Sequence, residues 1–369
     1  MTTTGTDSRR LRLGTRGSRL ALTQSGQVAE ALRQAAAAGA LGEGSGGLGI
    51  DLVTVRTDGD GDRTPLRQLG GVGVFAARLR HALLDGEVDL VVHSFKDLPT
   101  HPVEGLEVIC VPPREDPRDA LCARDGLTLA TLPEGARVGT GSPRRAAQLL
   151  ATRPDLEVVD LRGNVPTRLA RVRGLEAVGV GTDEPVAPAQ ADAAGDLDAV
   201  VLALSGLRRL GLEHCASEVL DLETMLPAPA QGALAVEARA GEDSVELARA
   251  VAVLDDDPTR LAVTAERALM ARLGAGCAAP VGAWAHLRGG EQEQRVLVLR
   301  AVVTSLDGGQ EVGCELSTEL PEATGGPGAP GNTAAVRAAE ALGARAAEVL
   351  LEDGAAQIVD LHASKPRRG

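Results

Sequence analysis

Residues 136–152 read ARVGTGSPRRAAQLLAT, and this stretch decides the fold class. The apolar run at 136–139 predicts a short β-strand, and a glycine turn follows it. Ser142 can cap a helix, and Pro143 suits the first helical position because its missing N–H would have no partner there. The stretch therefore predicts a strand, a turn and a helix over Pro143–Thr152, which together form one β–α unit.

The same pattern recurs elsewhere in the first 204 residues. Near the N-terminus, LGTRGSRLAL spans residues 13–22 and predicts a strand at 11–14, with Ser18 as the cap of a helix at 19–35. Further apolar runs predict strands at 50–56, 88–92, 156–161 and 197–204, and a helix at Val74–Leu84. Strands that alternate with helices are typical of a parallel α/β sheet.

The pattern changes after Asp255 and predicts a small separate α+β domain. It consists of a helix at 258–273, strands at Val296–Thr304 and 310–316, and a helix at Thr333–Glu352. Three stretches rich in Gly, Ala or Pro predict surface loops, at 36–49, 179–194 and 320–332. The alanines that begin the first of these could instead extend the preceding helix.

Composition fits a globular protein of two or three domains, since 44% of the 369 residues are hydrophobic. The net charge of −13 argues against a nucleic acid or an anionic membrane as a general partner. No apolar run approaches the roughly 20 residues of a membrane span, and residues 1–10 lack the apolar segment of a secretory signal. The five cysteines form no C-x-x-C pair, so neither a disulfide framework nor a zinc site is indicated, and a reducing cytoplasm is predicted.

Arginine is concentrated in one short part of this acidic chain. Its members there are Arg137, Arg144, Arg145, Arg153, Arg162, Arg168, Arg171 and Arg173. Such a cluster indicates either a local anion site or a solvated basic face. Two turns that open helices favour the anion site, because free N–H groups and the helix dipole attract an anion there. Because the turns belong to different β–α units, they predict a ligand with several acid groups.

Polar side chains in these turns, and in LRGNVPTRL at 161–169, are the candidate anion ligands. They are Arg16, Ser18, Thr140, Ser142, Arg144, Arg145, Arg162 and Arg168. Arginine can grip a carboxylate with two parallel hydrogen bonds, which suits this purpose. A well-capped helix with solvated arginines is the structural alternative.

Two further motifs carry reactive side chains. VHSFKDLP at 92–99 places Lys96 and Asp97 after a strand, where a carboxylate beside a cationic site can donate a proton and stabilise a developing cation. The alternative is a surface ion pair, which is common and weak. GAGCAAPVG at 274–282 surrounds Cys277 with small residues, which suits a thiol that reacts or carries a group. The alternative there is a small core residue in a tight turn.

Seven motifs occur in the order seen in the porphobilinogen deaminase (hydroxymethylbilane synthase) family, which the chain resembles from about residue 11 to its C-terminus. They are TRGSRLAL, VHSFKDLP, EDPRDA, GTGSPRR, LRGNVPTRL, GLRRLGL and GAGC. The resemblance implies an α/β fold, with two periplasmic-binding-protein-like (type II) lobes around a cleft and a small C-terminal α+β domain. Lobe one would comprise 1–112 with 231–250, lobe two 113–230 with about 251–263, and the cofactor-attachment domain 264–369.

The resemblance also implies an activity: condensation of four porphobilinogen molecules, head to tail, into linear hydroxymethylbilane with release of ammonia. It implies a dipyrromethane cofactor joined by a thioether to Cys277, and no metal or nucleotide. Asp97 would be the catalytic carboxylate, which helps to expel ammonia and then stabilises the positive pyrrole. The protein would be a cytoplasmic monomer with porphobilinogen as its small-molecule partner, and would bind neither nucleic acid nor membrane.

The family match assigns contacts residue by residue. The residues expected to contact the cofactor are Cys277, Lys96, Asp97, Ser18, Thr140, Ser142, Arg144, Arg145, Arg162 and Gly163. Substrate contacts fall to Arg16, Ser18, Arg162, Arg168 and Arg209. Each pyrrole unit carries an acetate and a propionate, which would explain why an acidic protein concentrates arginine in its cleft.

The chain departs from the family pattern at two places. Gln68 and Val72 stand where many relatives carry lid lysines, and Arg67 could substitute for them. Ala230 replaces the glycine of the usual P-A-x-G-Q-G-A turn, so a local difference is expected there. Rival functions are a solute-binding protein of the same fold for a polycarboxylate, which would need an export signal, and a ligand-sensing regulator, which would need an output module.

Overall fold

The computed structural model describes residues 10–38, 49–55, 74–175, 195–241, 251–276, 278–289, 294–321 and 333–361. These residues form three bodies, each built around one β-sheet, which we call lobe one, lobe two and the C-terminal domain. Among the described helices, none is long and apolar enough to cross a membrane. The described residues also hold no group of His, Cys, Asp or Glu side chains that could bind a metal ion.

The described part of the chain alternates strands and helices through both lobes and ends in an α+β arrangement. In chain order the elements are β1 (Arg10–Thr15), α1 (Arg19–Ala37), β2 (Gly49–Thr54), α2 (Val74–Leu84), β3 (Leu90–Ser94), β4 (Leu106–Cys110), β5 (Asp119–Ala123), β6 (Arg137–Gly139), α3 (Pro143–Thr152), β7 (Glu157–Val159), α4 (Val165–Leu169), β8 (Ala199–Ala203), α5 (Leu204–Arg209), β9 (Glu218–Val219), β10 (Leu234–Arg239), α6 (Asp257–Leu273), β11 (Val281–Arg288), β12 (Val296–Thr304), β13 (Glu311–Glu319), α7 (Thr333–Glu352) and α8 (Ala355–Ile358).

Lobe one is built on a five-stranded sheet in the order β2-β1-β3-β10-β4. Strand β1 pairs in parallel with β2 and β3, while β10 runs antiparallel to both β3 and β4. Leu13, Leu32 and Leu90 are fully buried in its core, which fills because α1 packs against the sheet. Because β10 lies inside this sheet, between β3 and β4, the chain must return to lobe one after building lobe two.

Lobe two repeats this arrangement in the order β7-β6-β8-β5-β9. Strand β6 pairs in parallel with β7 and β8, and β5 runs antiparallel to β8 and β9. Strand β5 therefore occupies the position that β10 has in lobe one. In both lobes the antiparallel strand is the one that follows a crossing of the chain from the other lobe. This strand order confirms the expected pair of α/β lobes, and the assignment of return segments stays a prediction.

The C-terminal domain has an antiparallel sheet, β11-β12-β13, with α6 and α7 packed against it. Leu269, Leu297 and Leu299 are fully buried in its core. The outer edge of β11 is bound to the segment that leaves lobe two, since Ala283 N–H donates to the carbonyl of Pro227 at 2.9 Å. The domain is therefore fastened to the second crossing of the chain.

The predicted elements agree with the structure wherever the sequence signal was local. The helices Pro143–Thr152, Val74–Leu84 and Thr333–Glu352 have the predicted bounds, and α1 runs on to Ala37, as its alanines allowed. The sequence did not predict β4, β5, β10 or β11. Most of the three predicted loops lies outside the described residues.

The segment 251–263 packs differently from the expectation that placed it in lobe two. Val251 belongs to the core of lobe one, and Leu261 and Ala262 belong to the core of the C-terminal domain. The reason is that α6 is one continuous helix from Asp257, with Asp256 accepting a hydrogen bond from Thr259 N–H as its N-cap. The other boundaries remain predictions.

Candidate active site

The predicted site residues follow the carboxyl ends of three strands. Strand β1 leads into the turn that opens α1, β3 into the 3₁₀ turn Phe95–Asp97, and β6 into the turn that opens α3. Ligands of open α/β sheets bind at such ends. The two lobes meet here, because Leu20 in the first turn of α1 packs against the core of lobe two.

The helix caps predicted at two of these turns are confirmed. Ser18 Oγ accepts a hydrogen bond from Ala21 N–H at 3.3 Å, and Ser142 Oγ accepts one from Arg145 N–H at 3.5 Å. Thr140 Oγ1 accepts one from Ser142 N–H at 3.2 Å. The hydroxyl hydrogens remain available for donation, so the turns can still offer donors to an anion.

A buried carboxylate, Asp119, lies at the centre of the site. Its oxygens accept hydrogen bonds from Arg144 Nη2 at 2.7 Å, from Arg145 Nη2 at 2.8 Å and from Gln231 Nε2 at 2.8 Å. Burial alone would raise the pKa of Asp119, but the two guanidinium groups outweigh it and hold that pKa well below its usual range. Asp119 is therefore ionised, and both of its carboxylate oxygens accept hydrogen bonds from these partners.

Arg144 and Arg145 are buried, at 3% and 6% exposure, and do not form a solvated basic face. Arg144 Nη1 also donates to the carbonyl of Leu226 at 2.6 Å, and Arg145 Nη1 to that of Val201 at 3.1 Å. One carboxylate faces two guanidinium groups, so the pair keeps an excess positive charge. The buried Nε of Arg144 has no hydrogen-bond partner in the described part of the chain.

Gln231 connects this ion cluster to lobe one. Its Oε1 accepts from Lys96 Nζ at 3.1 Å, while its Nε2 donates to Asp119 and to the carbonyl of Pro117. The pKa of Lys96 is lowered to about 8, chiefly by burial; Asp97 opposes this change and the nearby Arg145 adds to it. The lowered pKa therefore reflects mainly the loss of water around the ammonium group, which a ligand carboxylate could offset.

Asp97 lies next to this cluster and is exposed. It ends the 3₁₀ turn Phe95–Asp97, whose first residue is anchored because Phe95 N–H donates to the carbonyl of Ala233 at 3.0 Å. The carboxylate of Asp97 raises the pKa of both Lys96 and Arg168, so it lies near cations of both lobes. An accessible carboxylate in such a place can exchange protons with a ligand.

The remaining predicted arginines differ in their surroundings, and Arg168 lies near both Arg145 and Arg162. Arg168 Nε donates to the carbonyl of Gly163 at 2.8 Å, and burial together with Arg145 and Arg162 lowers the pKa of Arg168 to about 10. The buried Nε of Arg162 has no hydrogen-bond partner among the described residues. Arg209 Nη2 donates to the carbonyl of Gly232 at 2.7 Å. Arg16 is half-buried in the turn before α1.

Sequence reasoning missed the roles of Asp119 and Gln231. Asp119 stood in the quoted motif EDPRDA and Gln231 in the turn after Ala230, but neither was assigned a function. Ala230 adopts a left-handed conformation with φ of 61°, which favours glycine, and the expected local difference of this turn stays a prediction. Cys277, Gln68 and Val72 lie outside the described residues.

Comparisons with known proteins agree over both parts of the chain. Residues 11–247 match the family model "Porphobilinogen deaminase, dipyromethane cofactor binding domain", and residues 260–352 match "Porphobilinogen deaminase, C-terminal domain". The chain is 52% identical to the porphobilinogen deaminase of Cutibacterium acnes, over 97% of this chain and 99% of that one. It is 51% identical to that of Micrococcus luteus, over 94% and 93%.

One similar solved structure is a TRAP periplasmic solute-binding protein from Roseobacter denitrificans with bound β-D-glucuronate. It is 10% identical, covers 66% of this chain and 77% of its own, and superposes with a TM-score of 0.32.

Proposed function

The chain belongs to the porphobilinogen deaminase family, and on that premise we propose how its cleft holds cofactor and substrate. Enzymes of this family are transferases of tetrapyrrole biosynthesis, which join porphobilinogen units into hydroxymethylbilane and release ammonia. Residues 11–247 form the dipyrromethane cofactor binding domain. We propose that Lys96, Arg144, Arg145 and Arg168 bind the carboxylates of cofactor and substrate.

The excess positive charge around Asp119 carries this proposal. Two guanidinium groups share that carboxylate, and the pKa values of Lys96 and Arg168 are lowered to about 8 and about 10. Carboxylates entering the site would balance this positive charge and offset the burial that lowers these pKa values, and charge-assisted hydrogen bonds in a partly dry cleft are strong. A dipyrromethane with acid side chains fits such a site, and the Nε atoms of Arg144 and Arg162 are available as donors.

We propose that Cys277 carries the cofactor through a thioether. Helix α6 ends at Gly274 in a left-handed C-cap, so the backbone leaves the helix three residues before Cys277. The other cysteines are poor candidates, because burial raises the pKa of the Cys110 and Cys122 thiols to about 12 and that of Cys314 to about 11. Cys215 is buried, and its thiol pKa is raised too. A thiol must ionise to react as a nucleophile.

The residues of the cleft then have different roles in binding and in proton transfer. When bound, the dipyrromethane supplies the pyrrole carbon to which the first substrate unit is joined. The arginines orient the acid groups of each unit, and the exposed carboxylate of Asp97 holds the proton that moves as ammonia leaves. The same carboxylate, once ionised, stabilises positive charge on the reacting pyrrole. Two lobes around the cleft can move relative to each other as the chain of pyrroles grows.

Incubation with porphobilinogen tests the reaction, through ammonia release and porphyrin colour after oxidation. The intact mass should exceed the sequence mass by two linked pyrrole units, and the extra mass should map to the peptide that contains Cys277. Cys277→Ser should lack that mass and be inactive. Wild-type protein that is fully active at its bare sequence mass would falsify the assignment of Cys277.

Asp97→Asn tests the catalytic carboxylate. The variant keeps the size of the side chain but neither delivers an acidic proton nor stabilises a cation, so we expect a folded protein that binds porphobilinogen and releases almost no ammonia. Substantial ammonia release by Asp97→Asn would move the catalytic role to another group. A solute-binding protein, in contrast, would bind the compound without releasing ammonia in either form.

A monomeric state in the cytoplasm is also part of the proposal. The scattered cysteines and the family match support it. Light scattering on the purified protein and fractionation of cells test these two points.

A further inference from the structure

Arg267 of α6 reaches out of the C-terminal domain to the loop that carries Lys96 and Asp97. Its Nη1 donates to the carbonyl of Leu98 at 2.7 Å and to that of Phe95 at 3.3 Å, and its Nη2 donates to that of Pro99 at 2.8 Å. Its guanidinium carbon also lies 4.4 Å from the centroid of the Phe95 ring. Arg267 therefore holds the loop on both sides of Asp97.

The loop is short and rests on a small hydrophobic core. Phe95–Asp97 is a single 3₁₀ turn, closed by one hydrogen bond from Leu98 N–H to the carbonyl of Phe95 at 3.2 Å. Phe95 and Leu98 are buried in a small core, at 6% and 2% exposure, whereas Asp97 between them is exposed. The planar fork of one guanidinium satisfies carbonyls at 95, 98 and 99 together, which a flexible ammonium group cannot do in the same way.

The helix under Arg267 is held on two sides. Val263, one turn earlier, packs in the same small core as Phe95 and Leu98, while Leu269 on the opposite side lies in the core of the C-terminal domain. Glu266, next to Arg267, is fully buried and accepts hydrogen bonds from Arg114 Nη1 at 2.7 Å and from Ala285 N–H at 2.8 Å. Arg267 therefore extends from a rigid base.

We propose that Arg267 is a positioning residue that fixes the carboxylate of Asp97 for the reaction. The helix that bears Arg267 ends at Gly274, three residues before Cys277. The same helix therefore positions the carboxylate of Asp97 and leads to the segment that contains Cys277. The inference rests on the proposed roles of Asp97 and Cys277. It adds that the C-terminal domain acts on the chemistry of lobe one through Arg267.

Arg267→Gln and Arg267→Lys test the proposal, with Arg272→Gln as the matched control. Arg272 lies on the same helix, but its side chain is 56% exposed and makes a surface ion pair with Glu348. A misplacement of about 1 Å in a catalytic group can cost about 100-fold in rate, so we expect kcat of Arg267→Gln to fall about 100-fold. KM for porphobilinogen should stay within about threefold, because the arginines that bind substrate are untouched. Intact mass confirms that only cofactor-loaded protein is compared.

Two further measurements separate positioning from simple stabilisation. Hydrogen–deuterium exchange of the peptide covering 94–99 should quicken in Arg267→Gln and stay unchanged in Arg272→Gln. The double variant Asp97→Asn/Arg267→Gln should be no slower than Asp97→Asn alone, because a residue that acts through Asp97 has nothing to add once Asp97 is disabled. A purely structural role would instead lower Tm and leave kcat of the loaded enzyme unchanged.

The outcomes distinguish this inference from the function on which it rests. Wild-type turnover in Asp97→Asn would overturn the role of Asp97. Loss of turnover in Asp97→Asn, with kcat of Arg267→Gln equal to that of Arg272→Gln, would overturn only the positioning role. If Arg267→Gln does not fold, Arg267→Lys decides by comparison with Arg272→Gln, since it keeps the charge over Phe95 but loses the fork. We expect the kcat of Arg267→Lys to fall below that of Arg272→Gln, and equal values would overturn the positioning role.

Discussion

Asp119→Asn tests whether the buried ion cluster is organised by its single carboxylate. The substitution preserves shape but removes the charge that faces Arg144 and Arg145. Four hydrogen bonds reach the Asp119 oxygens, one from Arg144, two from Arg145 and one from Gln231. Removing one partner of a buried ion pair costs about 3–5 kcal/mol, because the remaining charge stays buried without compensation. We expect the free energy of unfolding to fall by about this amount.

The same cluster gives a pH dependence with a defined sign. Because the guanidinium groups hold the pKa of Asp119 below its usual range, Asp119 stabilises the fold fully above its unfolded pKa of about 3.9. That stabilisation is lost as the pH falls towards the folded pKa. Wild-type stability should therefore decline below about pH 4, and Asp119→Asn should lack this component of the decline.

Urea unfolding followed by circular dichroism at pH 7 and at about pH 3 measures both effects. The control is Asp51→Asn, which removes the carboxylate of an exposed ion pair with Arg10, whose side chains are 44% and 64% exposed. Exposed pairs contribute about 0–1 kcal/mol, so the control should change little. A loss in Asp119→Asn no larger than in Asp51→Asn would refute the reasoning.

Three further changes follow from the site. Because the pKa of Lys96 is lowered to about 8, KM for porphobilinogen should rise as the pH increases through 8, and Lys96→Arg should flatten that rise. Parallel profiles of KM against pH in the two proteins would contradict this role of Lys96. Arg162→Ala should lower kcat/KM by the equivalent of about 1.5–3 kcal/mol with little change in Tm, and unchanged kinetics would remove Arg162 from the cleft. Ala230→Val should lower the free energy of unfolding by about 2–4 kcal/mol, because the position is left-handed and buried and a larger side chain would be strained and overpacked. Ala230→Gly should change the free energy of unfolding by less than about 1 kcal/mol. Equal stability of the two variants would show that the turn relaxes.

Local signals made the β–α units predictable from sequence. Ser18 and Ser142 cap helices because their hydroxyl groups satisfy N–H groups three residues later, and such a contact needs no information from distant parts of the chain. The candidate residues after β1, β3 and β6 were found for the same reason, since each follows a strand within a few positions.

Long-range contacts explain what the sequence did not reveal. Asp119 meets Arg144 and Gln231, which are 25 and 112 residues away along the chain, so no short window contains the cluster. The sequence also left Arg144 and Arg145 open between an anion site and a solvated basic face, and their burial depends on that distant carboxylate. Similarly, the grip of Arg267 on the loop at 95–99 joins residues about 170 apart, which only the packing of α6 against lobe one reveals.

The position of β10 has a consequence for synthesis on the ribosome. An interior strand in the sheet of lobe one, between β3 and β4, is formed by residues 234–239, whereas every described strand of lobe two lies between residues 119 and 219. Lobe two can therefore complete its sheet while lobe one, although translated first, still lacks an interior strand. Nascent chains of this protein should acquire their second lobe before their first, reversing the usual N-terminal-first order of folding during translation.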